Sequence, residues 1–400
     1  MIKVPLGITI GITAAAACVT FILTNRYALD TFNEKLSDVN EKQQVYSYIS
    51  EVDVYSRASY IGEIDDLSIK QGMIKGYVEG IGDPFCAYMT ADEYAAYTTV
   101  PEGMVEGLGF TYTKDKSGYI RVTGIEQGGA AEDSGVLEGD IITAVNNTDV
   151  IAFEGGYDEA VLLFNATEGT RVKLYVKRVD EYGTNFIDYD VIGKVSEHIT
   201  VTDMRIDNVG LIRIKEITQQ TEHQFKNSLD KLIQKGVKGI VIDVRDLNFN
   251  DFGVLQSLLD HVIGSGDILT ATEKNGTQTT LVTCTEAENI SMPLAVLVNE
   301  NTEYCAEFFA QSLKDYAGAV IVGSPTKGHT TYQKPMTMVD DSVLLISAAN
   351  VSTGKTALSG KIAPDENVPF PEDIKLSDLR DIDIQVYDTQ FIRAAEVVSE

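Results

Sequence analysis

Three short, uninterrupted apolar runs limit the fold most: Gly239-Ile240-Val241-Ile242-Asp243, Ala295-Val296-Leu297-Val298 and Ala319-Val320-Ile321-Val322. A strand that is apolar at every position is covered on both faces, which places it in a mostly parallel sheet with helices on either side. A helix precedes the first run: Phe225, Leu229, Leu232 and Ile233 share one face, and the pattern stops near Gly236. Residues 195–400 are therefore expected to form an α/β domain.

The stretch 99–194 reads differently. Short alternating runs such as Tyr119-Ile120-Arg121-Val122 and Val172-Lys173-Leu174-Tyr175-Val176 are separated by glycine and aspartate, as in a small β-rich domain. Residues 27–98 read as a helical N-terminal segment. There Phe32, Leu36 and Val39, then Val45, Ile49 and Val52, recur at intervals of three and four up to the turn Gly82-Asp83-Pro84-Phe85. Beyond that turn, Thr90 and Glu93 have the spacing of a capping box for a further short helix. From Val4 to Leu23 there is no charge, with Lys3 before the run and Arg26 after it. About 20 helical residues at ~1.5 Å each span a bilayer. Residues 1–26 are thus expected to be an uncleaved transmembrane anchor of a single-pass cell-membrane protein whose bulk is extracytoplasmic. The whole is expected to be a mixed α/β multidomain chain.

Composition narrows the function. With 60 acidic against 32 basic residues the net charge is −28, which repels nucleic-acid phosphates, so no nucleic-acid partner is expected. Cys18, Cys86, Cys284 and Cys305 are scattered without metal-ligand spacing, and neither a metal nor another cofactor is expected.

Within the β-rich stretch, Gly107-Leu108-Gly109-Phe110 is followed in order by Gly124 to Ala131, Ser134-Gly135-Val136-Leu137 and Glu138-Gly139-Asp140-Ile141-Ile142. A glycine pair around a leucine lets backbone amides converge on a carboxylate, and the strand beginning at Phe110 offers an edge for an added peptide strand. The series resembles a PDZ domain, which implies that Leu108, Gly109 and Phe110 bind the carboxyl end of a peptide.

Together with Gly82-Asp83-Pro84-Phe85, the PDZ-like stretch and the α/β region, further matches lie at Asp243-Val244-Arg245, Val298-Asn299, Ala306-Glu307, Val322-Gly323, Thr326, Gln333 and Ala363-Pro364-Asp365. The chain resembles the C-terminal processing, or tail-specific, serine peptidases. The resemblance implies a crotonase/ClpP-like peptidase core in which a serine nucleophile and a lysine base cleave proteins near their carboxyl ends. The chain departs from that chemistry at both positions. Where the family has a serine–alanine run before a glutamate, the sequence is Thr302-Glu303-Tyr304-Cys305-Ala306-Glu307, which puts Tyr304 at the nucleophile position. In the same register His329 stands at the base position, and Gln333 matches the auxiliary glutamine. After Arg245 the family's glycine pair, which contributes to the oxyanion hole, gives way to Asp246-Leu247-Asn248-Phe249-Asn250-Asp251-Phe252-Gly253.

A phenol is a poor acyl acceptor, and its bulk occupies the space of a scissile carbonyl. The reading is a pseudoenzyme that binds C-terminal tails of extracytoplasmic or membrane proteins without cutting them, with an active paralogue as a further candidate partner. Two alternatives stay open. One is an active C-terminal processing endopeptidase, of serine type through an unaligned serine such as Ser324 or of cysteine type through Cys305 and His329; Lys327 as a substitute base would need a two-residue deletion and a compensating insertion before Gln333. The other is a structural envelope scaffold. Cys305 follows Tyr304 by about 100° around a helix, off the stripe Ala306, Phe309, Ala310 and Leu313.

Overall fold

The computed structural model describes residues 20, 24, 26, 43–126, 128–180, 183–285, 290–371, 374, 376 and 381–399. It divides into two compact units, residues 1–76 and 77–400. In the first unit a helix over 43–59 is exposed along most of its length, including the expected stripe of Val45, Ile49 and Val52. Arg57 pairs there with Asp53 one turn back and with Asp66. Among the described residues no helix is long and apolar enough to cross a membrane, which corrects the expectation of an N-terminal transmembrane helix. The run Val4 to Leu23 that motivated it lies, apart from Thr20, outside those residues.

The second unit is organised around a six-stranded sheet. Its strands run in the order Val201–Ile206, Val209–Ile214, Gly239–Asp243, Leu294–Val298, Val320–Gly323, Glu366–Asn367; the first pair is antiparallel and the rest parallel. Gly239–Asp243 and Leu294–Val298 are buried at every position; the apolar runs up to Ile242 and through Val298 require this, and Asp243 is buried with its arginine partners. Alternate residues feed two cores. Ile240, Ile242, Val296 and Ile321 join Phe225, Leu229 and Leu232 of the helix Thr221–Gln234, with Leu255, Phe309 and Leu313, on one face. Val241, Ala295, Leu297 and Val322 meet Phe391 and Ala394 of the C-terminal helix Thr389–Val397 on the other. The period-two side-chain alternation of a strand thus supplies both layers.

That C-terminal helix is also pinned by charge. Arg245 is fully buried and donates to Asp243 at 2.7 Å and to Asp388 at 2.7 Å, while its Nη1 donates to Gln390 at 2.9 Å. Arg213 adds a second cation to Asp243 at 2.8 Å.

A second, antiparallel sheet places Val343–Ser352 between Ala87–Met89 and Gly266–Glu273, with Gln278–Cys284 beyond and Thr331–Thr337 also paired to Val343–Ser352. Ala87–Met89 falls in the stretch read as helical; it is extended because it pairs with Val343–Leu345. The helix Ala91–Thr98 follows with its capping box formed by Thr90 and Glu93. Residues 104–197 have their own core of Leu108, Phe110, Ile120, Ile142, Leu174 and neighbours, beneath a sheet whose edge strand is Phe110–Lys114.

Candidate active site

Glu303–Tyr304 pairs in parallel with Asn248–Phe249 and runs straight into the helix Cys305–Ala317. At the junction Tyr304 has φ 56° and ψ −113°, a conformation costly for any residue with a Cβ. A strained strand-to-helix turn of this kind is how a nucleophile is projected from a sheet in α/β-hydrolases. Glu307 holds the turn. Fully buried, its carboxylate accepts from the backbone N–H of Tyr304 at 3.0 Å, of Gly328 at 2.8 Å and of His329 at 2.8 Å, and from the Thr326 hydroxyl. Burial pushes its pKa up, and these hydrogen bonds oppose that rise. One side chain therefore fixes both the Tyr304 turn and the loop that carries His329.

The Tyr304 side chain fills the space the turn opens. It is 3% exposed, and its hydroxyl accepts from the backbone N–H of Gln333 at 3.1 Å. Its ring stacks on His329 at 4.2 Å between centroids, and Phe85 stacks on His329 at 4.0 Å with the planes 7° apart. Phe252 meets the Tyr304 ring edge-on at 5.8 Å, and Phe308 lies at 5.4 Å. Burial holds the phenol protonated well above its ordinary range. His329 Nδ1 lies 3.2 Å from Glu303 Oε1, while its buried Nε2 has no hydrogen-bond partner among the described residues. Burial lowers the pKa of His329, against the pull of Glu303 and Asp83. The centre is thus a neutral imidazole packed between two aromatic rings beside a protonated phenol. Gln333 lies alongside, buried, with Nε2 donating to Ser347 Oγ at 2.7 Å and Thr331 Oγ1 at 3.2 Å.

The other candidates are placed elsewhere. Cys305 is fully buried among Ala306, Phe308 and Phe309, a correction to its reading as off the core face, and burial pushes its thiol well above the usual range. A thiol so held is a poor thiolate source, and His329 makes its ring contacts with Phe85 and Tyr304 instead. Ser324 donates to Glu300 Oε2 at 2.9 Å, and Lys327 is exposed. Where the resemblance calls for a glycine pair, Asp246 has φ 59° and hydrogen-bonds Asn299, Asn250 Nδ2 donates to the Tyr97 carbonyl at 2.8 Å, and Asp251 caps the helix Phe252–Asp260 through Val254 N–H at 2.9 Å. The loop thereby delivers the phenyl ring of Phe252 against Tyr304. Among the described residues no group of three His, Cys, Asp or Glu side chains could hold a metal ion.

At the second candidate site Leu108 and Phe110 bury their side chains in the local core, leaving the backbone to face a ligand. Gly109 has φ +75°, and a Cβ there would come within 2.8 Å of Gly129 Cα, so only glycine fits. The Gly109 carbonyl accepts from Glu126 N–H at 3.0 Å, which turns the Phe110 N–H outward along the open sheet edge. The Leu108 amide is already given to the Phe164 carbonyl at 3.1 Å, so ligand binding falls to the later amides of the loop.

Sequence reading missed four contributors: Phe85, Glu303, Glu307 as a clamp, and Phe252. Phe85 lay in a turn already singled out, but its contact with His329 spans most of the chain and has no local signal.

Residues 208–368 match the model of peptidase family S41, and residues 98–177 match the PDZ domain. The carboxy-terminal processing protease CtpA of Bacillus subtilis is 27% identical over 327 residues, covering 80% of this chain and 68% of its own. A protein described as a CtpA-like serine protease of Staphylococcus epidermidis is 27% identical over 379 residues, covering 93% of this chain and 73% of its own. Among solved structures, one assigned to the S41 proteases of Bacteroides fragilis superposes with a TM-score of 0.50 at 15% identity, over 85% of this chain and 92% of that one, which bears on the fold alone. Residues 208–368 thus carry a peptidase family S41 core around the Tyr304 turn, a PDZ domain lies at 98–177 of the same chain, and the whole is similar to carboxy-terminal processing proteases.

Proposed function

We propose that this protein binds carboxyl-terminal tails of other proteins and does not hydrolyse them. The observation that carries the reading is the Tyr304 phenol: it occupies the strained turn, accepts from Gln333 N–H and stacks on a neutral His329. Replacing nucleophile and base together removes a unit that acts jointly, and such losses cost on the order of a million-fold in rate in subtilisin. The retained loop of Leu108, Gly109 and Phe110, with its sheet edge facing out, supports tail binding.

The test is to incubate the purified chain with unstructured polypeptides ending in apolar residues, following cleavage by mass spectrometry and association by anisotropy in the same samples. Association without new termini supports the proposal. Cleavage that is lost in Cys305→Ala or Ser324→Ala overturns it in favour of an active peptidase. Neither association nor cleavage leaves a scaffold with an idle groove.

A further inference from the structure

A cavity of about 250 Å³ lies beside Tyr304, lined by Tyr94, Tyr97, Phe252, Tyr304 and Tyr332 and by one charged residue, Asp251. Its size suits one long side chain, being below the roughly 300–1,000 Å³ of pockets for drug-sized ligands. Its chemistry is one-sided. Aromatic rings attract a cation within about 6 Å of their faces. Asp251 uses Oδ1 to cap its helix, and no cation pairs with it among the described residues. Gln333, also in the lining, keeps Oε1 buried without a hydrogen-bond partner among the described residues, an acceptor awaiting a donor. Pro335 and Leu345 supply apolar surface of the kind that covers the methylene stem of a long basic side chain. An overall charge of −28 adds long-range attraction for a basic ligand.

We infer that this cavity receives the side chain of a lysine or arginine from a polypeptide lying in the cleft, a second recognition point separate from the PDZ loop. The inference rests on the proposal above in one respect, since Tyr304 serves as a wall of the cavity and not as a nucleophile.

The test uses the full chain and fluorescent hexapeptides of glycine and serine carrying one lysine, one arginine, one norleucine or one glutamate, acetylated at the start and amidated at the end. The blocked end removes the carboxylate that the PDZ loop would bind. Anisotropy should show lysine and arginine peptides binding about ten-fold tighter than norleucine, with glutamate weakest. Asp251→Asn, which retains a capping side chain, and Tyr97→Leu, at the rim, should each reduce lysine binding several-fold at unchanged melting behaviour. Equal binding of norleucine and lysine overturns the inference, as does lysine binding that neither variant alters. Cleavage of the lysine peptide would leave the cation pocket standing and overturn the non-cleaving proposal instead, so the two failures are distinguishable.

Discussion

Gly109 and Tyr304 both sit at positive φ, +75° and 56°, each at a turn on which a site depends. At Gly109 the geometry and the residue agree: the backbone of Gly129 and Ala130 leaves no room for a Cβ, and the chain supplies none. At Tyr304 they disagree. The turn is imposed from outside by Glu307 against the preference of the tyrosine, at a cost on the order of 1–3 kcal/mol. The comparison teaches that in the peptidase core the turn is held by a neighbouring carboxylate and not by the residue that occupies it. A frame built from backbone hydrogen bonds to a buried carboxylate persists whatever stands at the turn.

Removing the clamp should break that frame most severely. Glu307→Ala leaves the buried N–H groups of Tyr304, Gly328 and His329 without their acceptor. Each orphaned donor costs about 1–3 kcal/mol, so urea unfolding should show a loss of at least about 3 kcal/mol. A loss under about 1 kcal/mol would mean that the turn holds itself. Gly109→Ala attacks the other side of the comparison. Strain of about 1–3 kcal/mol is expected, with at least ten-fold weaker association with an apolar tail and unaltered binding of amidated lysine peptides. Retained tail affinity would detach ligand binding from the loop.

A smaller effect is expected from Tyr304→Phe, which keeps the stack on His329 but orphans the Gln333 N–H, at about 1–2 kcal/mol. Unchanged stability would show that the hydroxyl contributes no hydrogen bond in solution. The least effect concerns pH. Because burial lowers the folded pKa of His329 below its ordinary value near 6.5, the unfolded chain takes up that proton first as pH falls. Stability from the neutral imidazole is therefore complete above about pH 6.5 and declines below it, by less than about 1.4 kcal/mol per pH unit. Glu307, its pKa raised, acts in the opposite direction at lower pH. The stability difference between the wild type and His329→Gln isolates the histidine, and it should shrink from pH 7.5 to 5. A flat difference would mean that folding leaves the His329 pKa unshifted, and a difference that grows toward pH 5 would mean that the folded state favours the charged imidazole.

How much of this was legible in the sequence depends on how local the cause was. The central strands were readable because burial on both faces leaves an unbroken apolar string, and the Ala91–Thr98 helix because its cap lies within four residues. The second sheet was not. Ala87–Met89 is a strand only through its partner some 250 residues later, and nothing in Ala-Tyr-Met states that pairing. In the site, the register from Glu307 to Gln333 placed Tyr304 and His329 on facing segments, whereas the Phe85 stack and the Phe252 contact arise from tertiary approach. The burial of Cys305 escaped the helical-stripe argument because the helix Cys305–Ala317 is enclosed along its first nine residues, so every direction around it is a core face.

The buried guanidinium of Arg245 makes the last helix indispensable. Asp388 and Gln390 are two of its partners, and both belong to the final stretch of the chain. Were that stretch clipped away, a cation would be stranded in a dry interior with only Asp243 to answer it, already shared with Arg213. Trimming from the carboxyl end, the very operation that relatives of this protein perform on others, would unlatch the central sheet of this one.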